Sequence, residues 1–340
     1  MIYIRRLNGN FIDERTQLNR IKVGVIGVGY LGRFHALNYA QIPEVELVGV
    51  TDLDSGRAQG VAQEAHCEVY PDPSTLLRDV QAVSVAVPTD RHHAVGIEVL
   101  QHGVHCLIEK PIAGTLEEAN DLVQLSRQKG LVLNVGHVER FNPAIRALEG
   151  YELRPHFIEA HRLAPFNPRG TEVSVILDLM IHDIDIALHL VGKPVRNVDA
   201  SGVAVVSETV DIANARILFE NGAVANLTAS RISQKKMRKT RFFQRDAYIS
   251  VDFLDKVAEV YSLESGEGSG GMVLAEIGVG ERKKCVAYRR LDVSEKGGLR
   301  LEQEAFVSAI KGDRSSAAVT GEEGRDALAV AMTVLRCMGA

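Results

Sequence analysis

The sequence predicts an α/β chain in two parts: a doubly wound parallel sheet, then an α/β domain with an open, mostly antiparallel sheet. Three observations predict it. Between residues 21 and 143, short apolar runs alternate with stretches of helical period, the rhythm of β-α-β units. A Gly-rich turn, Gly27-Val28-Gly29-Tyr30-Leu31-Gly32, sits between the first apolar run and the first helical stretch. From about residue 155, runs of β-type residues follow one another with turn signals between some of them, such as Glu220-Asn221-Gly222.

The first run, Val23 to Ile26, enters the G-x-G-x-x-G turn, and the helical pattern Phe34-His35-Ala36-Leu37 leaves it. Gly27 suits a tight turn, Gly29 a close approach of backbone N–H groups to a pyrophosphate, and Gly32 close helix–strand packing. The helix start offers N–H groups and a positive dipole end to phosphates. A second strand, Val45–Val50, ends at Thr51-Asp52, and Asp52 lies 20 residues after Gly32, the spacing of a carboxylate that meets ribose hydroxyls. That carboxylate would repel the 2′-phosphate of NADP, so NAD is the expected cofactor. Arg57, five positions on, is the residue able to reach round toward such a phosphate.

Further along, Ser55–His66 reads as a helix, Cys67–Tyr70 as a short strand and Ser74–Leu77 as a short helix after Pro71 and Pro73. Ala82–Val87 is a buried strand, and Pro88-Thr89-Asp90 caps a helix reaching Leu100. Val104–Ile108 is a strand that stops at Glu109-Lys110-Pro111. Thr115 with Glu118 forms a capping box for a helix to about Lys129, and Leu131–Val135 is the next strand. The character changes near Asn142-Pro143, so 21–143 is read as the dinucleotide-binding domain, preceded by an extension at 1–20. Residues 144–320 are expected to bind substrate and to make subunit contacts, and 321–340 to form a helix packing back toward the first domain.

In the second part, strands are expected at 156–163, 198–206, 211–219, 223–230, 247–251, 257–261 and 285–289. One strong helix, Ser174–Leu190, interrupts them, Ser265–Gly271 reads as a mobile loop, and Leu299–Gly312 and Glu322–Cys337 close the chain as helices.

Bulk composition narrows the function classes. With 340 residues the chain can bury two sizeable cores. Its net charge of −5 gives no overall attraction to nucleic acid. No apolar run approaches the roughly 18 residues of a membrane span. Residues 1–20 mix Arg5, Arg6, Asp13, Glu14, Arg15 and Arg20 without an apolar stretch, unlike a signal peptide. Cys67, Cys106, Cys285 and Cys337 lack C-x-x-C spacing and read as reduced, mostly buried thiols, which fits a cytoplasmic location.

Three constellations carry candidate chemistry. Glu109-Lys110-Pro111 stands at the carboxyl end of a parallel strand, where open α/β sheets bind ligands, and Pro111 keeps Lys110 out of helical conformation. A lysine there can polarise a substrate oxygen or relay a proton. Asp178 and His182, at i and i+4 of an apolar helix, are expected to share one buried face, either as a structural pair or as a catalytic one. No histidine or cysteine cluster accompanies His182-Asp183-Ile184-Asp185, so no metal is expected. Finally, Arg231, Lys235, Lys236, Arg238, Lys239, Arg241 and Arg245 crowd into fifteen residues. They suit a diphosphate, or equally a charged edge strand or a subunit interface.

Taken in order, Gly27-x-Gly29-x-x-Gly32, Pro88 with His92, Glu109-Lys110-Pro111, Arg140-Phe141-Asn142-Pro143 and Asp178-x-x-x-His182 resemble the Gfo/Idh/MocA oxidoreductases. The resemblance runs from about residue 21 to the C-terminus. It implies a Rossmann domain, then an α/β domain with an open antiparallel sheet. It also implies that Lys110, Asp178 and His182 act on a substrate alcohol beside a nicotinamide. On that basis His182 takes the hydroxyl proton, Asp178 orients it and Lys110 stabilises the alkoxide, with His182 and Lys110 interchangeable on sequence grounds. The cofactor-holding set is then Gly27, Gly29, Tyr30, Leu31, Gly32, Asp52, Pro88, His92, Glu109 and Lys110.

Within the family, 136–143 and 177–185 look like the nucleotide-sugar branch, most similar to UDP-N-acetylglucosamine 3-dehydrogenases. This implies oxidation of the sugar 3-hydroxyl, a place in lipid A biosynthesis and a downstream aminotransferase. It puts His137, Arg140 and Asn142 on the substrate, with Arg238 and Arg241 on its diphosphate. The alternatives are an inositol or free-sugar dehydrogenase and, in another class, a non-catalytic dinucleotide-binding sensor. An open sheet face would leave apolar surface, so a homodimer or homotetramer is expected.

Overall fold

The structure is a computed structural model that describes residues 4–7, 10–13, 20–167, 173–265, 271–278, 283–313 and 318–339. By its contacts the chain forms two units, Met1–Gly136 with Leu299–Arg325, and His137–Gly298 with Asp326–Ala340.

Before the first unit's main sheet, β1 (Ile4–Leu7) pairs antiparallel with β2 (Asn10–Asp13) within the expected N-terminal extension. The main sheet contains β3 (Ile21–Ile26), β4 (Val45–Thr51), β5 (Glu68–Val69), β6 (Ala82–Val85), β7 (His105–Glu109) and β8 (Leu133–Gly136). Their order is β5-β4-β3-β6-β7-β8, and every pairing is parallel. This is the doubly wound order whose direction reverses between β3 and β6. Continuous apolar sequence builds such strands because helices cover both faces; all four residues of β6 are buried. The helices are α1 (Tyr30–Tyr39), α2 (Ser55–Ala65), α3 (Pro73–Leu76), α4 (Thr89–Gln101) and α5 (Leu116–Lys129). The capping box at α5 forms as its sequence predicts. Thr115 Oγ1 accepts from the Glu118 N–H at 3.2 Å, and Glu118 Oε2 accepts from the Thr115 N–H at 3.0 Å.

The second unit is built on a nine-stranded sheet of β9 (Phe157–Leu163), β10 (Val195–Val203), β11 (Ile212–Phe219), β12 (Val224–Ser230), β13 (Met237–Gln244), β14 (Ala247–Asp252), β15 (Val257–Ser265), β16 (Met272–Ile277) and β17 (Lys284–Arg290). All pairings are antiparallel except β12 with β9. One face packs on a core that includes Ala144 of the short helix α6 (Pro143–Arg146) and Ile181, Ile184 and Ala187 of helix α7 (Ile181–Val191). On another part of the sheet, Phe157, Phe243, Tyr248, Tyr261 and Tyr288 form a cross-strand ladder, with successive ring centroids 5.7, 5.0, 5.2 and 5.1 Å apart.

Several expectations change here. The basic run is not an edge strand: β13 lies in mid-sheet between β9 and β14. The single helix expected at 174–190 is a π-helical turn at Ile176–Met180 followed by α7. Most of the expected loop at 265–271, residues 266–270, lies outside the described residues. The unit boundaries also differ from 143/144 and 320/321. Phe306 and Val307 of α8 (Gly298–Ile310) are buried with Val23, Val45 and Val50 in the first core. Ala327, Ala331 and Val334 of α9 (Gly321–Cys337) belong to the second.

Candidate active site

In the first unit, the glycine turn has the shape a dinucleotide needs. Gly27 takes φ +83°, and a Cβ there would lie 2.8 Å from a Val87 methyl. A Cβ on Gly32 would lie 1.9 Å from the Gly27 carbonyl oxygen, so only glycine lets α1 approach. A Cβ on Gly29 would meet nothing within 4 Å. That space lies at the N-terminus of α1, which no side chain caps and whose first turn holds no acid. Tyr30 and Leu31 carry exposed side chains beside it.

Asp52 follows β4 and ties the turn to the next loop. Its Oδ2 accepts from the Val28 N–H at 2.7 Å and its Oδ1 from the Asp54 N–H at 2.9 Å. Arg57 Nη1, on a side chain 50% exposed, lies 3.3 Å from Asp52 Oδ1. The residues present therefore fit a dinucleotide: a glycine cradle, an uncapped helix start and a carboxylate at the ribose position. Pro88 forms the N-cap of α4. The His92 ring is buried, with Nδ1 2.8 Å from the Pro111 carbonyl oxygen and Nε2 2.9 Å from that of Val87. His92 thus braces two loops, and burial lowers its pKa. Lys110 is half-buried just beyond the buried Glu109.

In the second unit, His137 and His182 are both buried, and their rings meet edge to face at 6.1 Å. His137 precedes a 3₁₀ turn, Val138–Phe141, and His182 is in the first turn of α7. Asp178, expected on a buried face with His182, is exposed. The turn that contains it is π-helical, where the sequence pattern assumes an α-helix.

A buried ionic network stands beside these histidines. Arg162 of β9 makes a two-pronged pair with Asp183 at 2.9 and 2.8 Å, and also reaches Glu139 at 2.7 Å. Burial alone would lower the Arg162 pKa, but the charges and hydrogen bonds of Asp183 and Glu139 raise it well above the ordinary value. Arg140 holds Asp185 at 2.7 and 2.6 Å and lies 3.1 Å from His189 Nδ1. Asn142 donates to the Phe253 carbonyl at 3.1 Å and accepts from the Ala144 N–H. Arg140 and Asn142, expected on the substrate, are therefore engaged in holding the fold.

The basic run is also not one patch. Side chains alternate along a strand, so Arg238 and Arg241 leave β13 on opposite faces. Arg238 reaches Glu139 at 3.2 Å, and Arg241 pairs with Glu159 of β9 at 2.8 Å. Both cannot grip one diphosphate. Among the described residues no group of three His, Cys, Asp or Glu side chains suits a metal ion, and no helix is long and apolar enough to cross a membrane.

Comparison with known proteins agrees with both units. Residues 21–137 match the Gfo/Idh/MocA oxidoreductase family with its NAD-binding Rossmann fold, and residues 154–249 match the Gfo/Idh/MocA C-terminal domain. The chain is 42% identical over 316 residues to UDP-N-acetylglucosamine 3-dehydrogenase of Acidithiobacillus ferrooxidans, covering 92% of this chain and 96% of that protein. A solved structure of that enzyme superposes with a TM-score of 0.83 at 40% identity, covering 94% of this chain and 98% of the other. This chain is also 30% identical over 234 residues to scyllo-inositol 2-dehydrogenase (NAD(+)) of Bacillus subtilis, covering 63% of this chain and 68% of that protein. The chain belongs to the Gfo/Idh/MocA family, as a dinucleotide-dependent oxidoreductase acting on CH–OH groups.

Proposed function

We propose that the protein oxidises the 3-hydroxyl of UDP-N-acetylglucosamine with NAD. The observation that carries this reading is the 42% identity along nearly the whole chain to a UDP-N-acetylglucosamine 3-dehydrogenase. Residues of the first unit, Gly27, Gly29, Gly32 and Asp52, hold the dinucleotide, which supplies the hydride acceptor. His182 takes the hydroxyl proton, Asp178 orients the reacting groups, and the Lys110 ammonium stabilises the developing alkoxide. His137, against the His182 ring, restricts how that imidazole turns. Arg238, partly exposed and on the Glu139 side of β13, is the basic residue assigned to the diphosphate. The reading places the enzyme before an aminotransferase in lipid A synthesis in the cytoplasm, and the aromatic ladder suits a self-complementary contact between two copies.

The substrate reading is tested by rates. UDP-N-acetylglucosamine should be turned over with kcat/KM at least about 100-fold above free N-acetylglucosamine or myo-inositol, because remote binding energy from the nucleotide lowers the barrier. Arg238→Glu should narrow that gap mainly through KM. Equal rates for free and nucleotide-linked sugars, with no nucleotide sugar raising the Tm, would replace this reading with a free-polyol dehydrogenase.

The cofactor reading rests on Asp52. NAD is expected to bind at least about tenfold more tightly than NADP, about 1.4 kcal/mol. Arg57 beside the carboxylate exerts the contrary pull, so Asp52→Ala should shift preference toward NADP. Equal affinities in titration calorimetry of the unsubstituted protein would contradict the argument.

A further inference from the structure

Four polar side chains lie in a row inside the first unit. The Tyr39 hydroxyl is 2.8 Å from Ser84 Oγ, Ser84 Oγ is 3.0 Å from His35 Nδ1, and His35 Nε2 is 2.9 Å from Glu109 Oε1. All four residues are buried. They come from α1, β6 and β7 and are brought together only by the fold.

The carboxylate fixes the direction of the hydrogen bond from His35. Burial pushes the Glu109 carboxyl up, but the His35 hydrogen bond and the attraction of His35 and Lys110 outweigh it, leaving the group below its ordinary range. An ionised carboxylate only accepts, so His35 Nε2–H donates to it. The other ring nitrogen, Nδ1, meets the Ser84 hydroxyl, which also meets that of Tyr39. Each buried oxygen and nitrogen in the row has a partner.

The other end of the row reaches Lys110. Glu109 Oε2 accepts from the Lys110 backbone N–H at 3.3 Å. A Cβ on Gly136 would lie 3.0 Å from the Glu109 carboxyl carbon, so glycine at the end of β8 leaves the carboxylate its room. Gln303 Nε2 donates to the His35 carbonyl at 3.1 Å and steadies α1 at that turn.

We propose that His35 is a positioning residue: held by this chain of hydrogen bonds it fixes the Glu109 carboxylate, and Glu109 fixes the backbone from which the Lys110 ammonium is presented. The inference rests on the catalytic role proposed for Lys110.

The test uses the full chain with NAD and UDP-N-acetylglucosamine. His35→Gln and Glu109→Gln are made singly, together, and each in a Lys110→Ala background. Each single variant should lower kcat about tenfold, the scale of a small misplacement of a reacting group. In His35→Gln, NAD affinity should stay within about threefold of the unsubstituted protein. The double variant should be no slower than the slower single one, since both act through one carboxylate. Neither should lower kcat further once Lys110 is alanine. Amide hydrogen exchange at Lys110 should quicken in His35→Gln, a readout independent of turnover. If His35→Gln does not fold, Ser84→Ala, which removes one hydroxyl, should show the same pattern at about threefold. Variants that keep full kcat, or that lose the same factor with and without Lys110, would overturn the inference. Unchanged turnover in Lys110→Ala alone would remove the catalytic reading itself, and this inference with it.

Discussion

Lys110→Ala and His182→Ala are each expected to lower kcat by about 100-fold or more, the usual contribution of a placed general acid or base. The corresponding loss of transition-state stabilisation is about 2.7 kcal/mol. Lys110 follows β7 in the parallel sheet, and His182 is held in the first turn of α7 against the His137 ring. Neither belongs to the glycine cradle or to the Asp52 loop, so NAD affinity should stay near that of the unsubstituted protein. Steady-state kinetics with NAD titration calorimetry on both variants is the check. Full turnover in both would show that other groups carry the proton and the alkoxide charge.

The largest effect on stability is expected from Arg162→Met. The side chain of Arg162 is 2% exposed, and its partners Glu139 and Asp183 are 9% and 4% exposed. Methionine fills much of the space but leaves Asp183 buried without its cation, and Glu139 with the more exposed Arg238 in its place. Breaking a buried pair in this way typically costs about 3–5 kcal/mol. For a unit of this size that is a Tm loss of roughly 10 °C. The pH dependence gives a second signature. A buried carboxylate without its cation has its pKa raised above the unfolded value. The folded variant therefore binds more protons than its unfolded chain, and its deficit should shrink as pH falls. Thermal melts across mildly acidic to neutral pH test this. A deficit below about 1 kcal/mol, or one that does not change with pH, would mean that the network is screened by water.

The Rossmann half was legible in the sequence because its signals are local. Gly27, Gly29, Gly32 and Asp52 lie within one β-α-β unit, and the capping pair Thr115–Glu118 lies within one helical turn. Strands of the second sheet were legible from β-type runs, within a few residues at their ends. The strand Met237–Gln244 was less so, because its arginines and lysines read as a surface patch. In the sheet their side chains alternate between faces and meet acids from other segments. The pairs Arg162–Asp183 and Arg140–Asp185 span 21 and 45 residues, and no count of charges assigns such partners.

Two further features needed the fold. The π-helical turn at Ile176–Met180 was not legible, because residue spacing assumes a constant helical period. His35 read only as part of a helical pattern, because its partners Ser84 and Glu109 are 49 and 74 residues away. A signal was present nonetheless: Ser84 is a hydroxyl within the apolar run Ala82–Val87, and a polar residue in such a strand calls for a buried partner.

The identity of the oxidised carbon tests the substrate assignment most directly. The protein is incubated with UDP-N-acetylglucosamine and NAD, the mixture is quenched with borodeuteride, and the deuterium is located in the recovered nucleotide sugar. The account predicts deuterium at sugar C3, with NADH formed alongside and neither product from the Lys110→Ala or His182→Ala variants. Deuterium at another carbon, or no label in the nucleotide sugar while myo-inositol is readily oxidised, would contradict it.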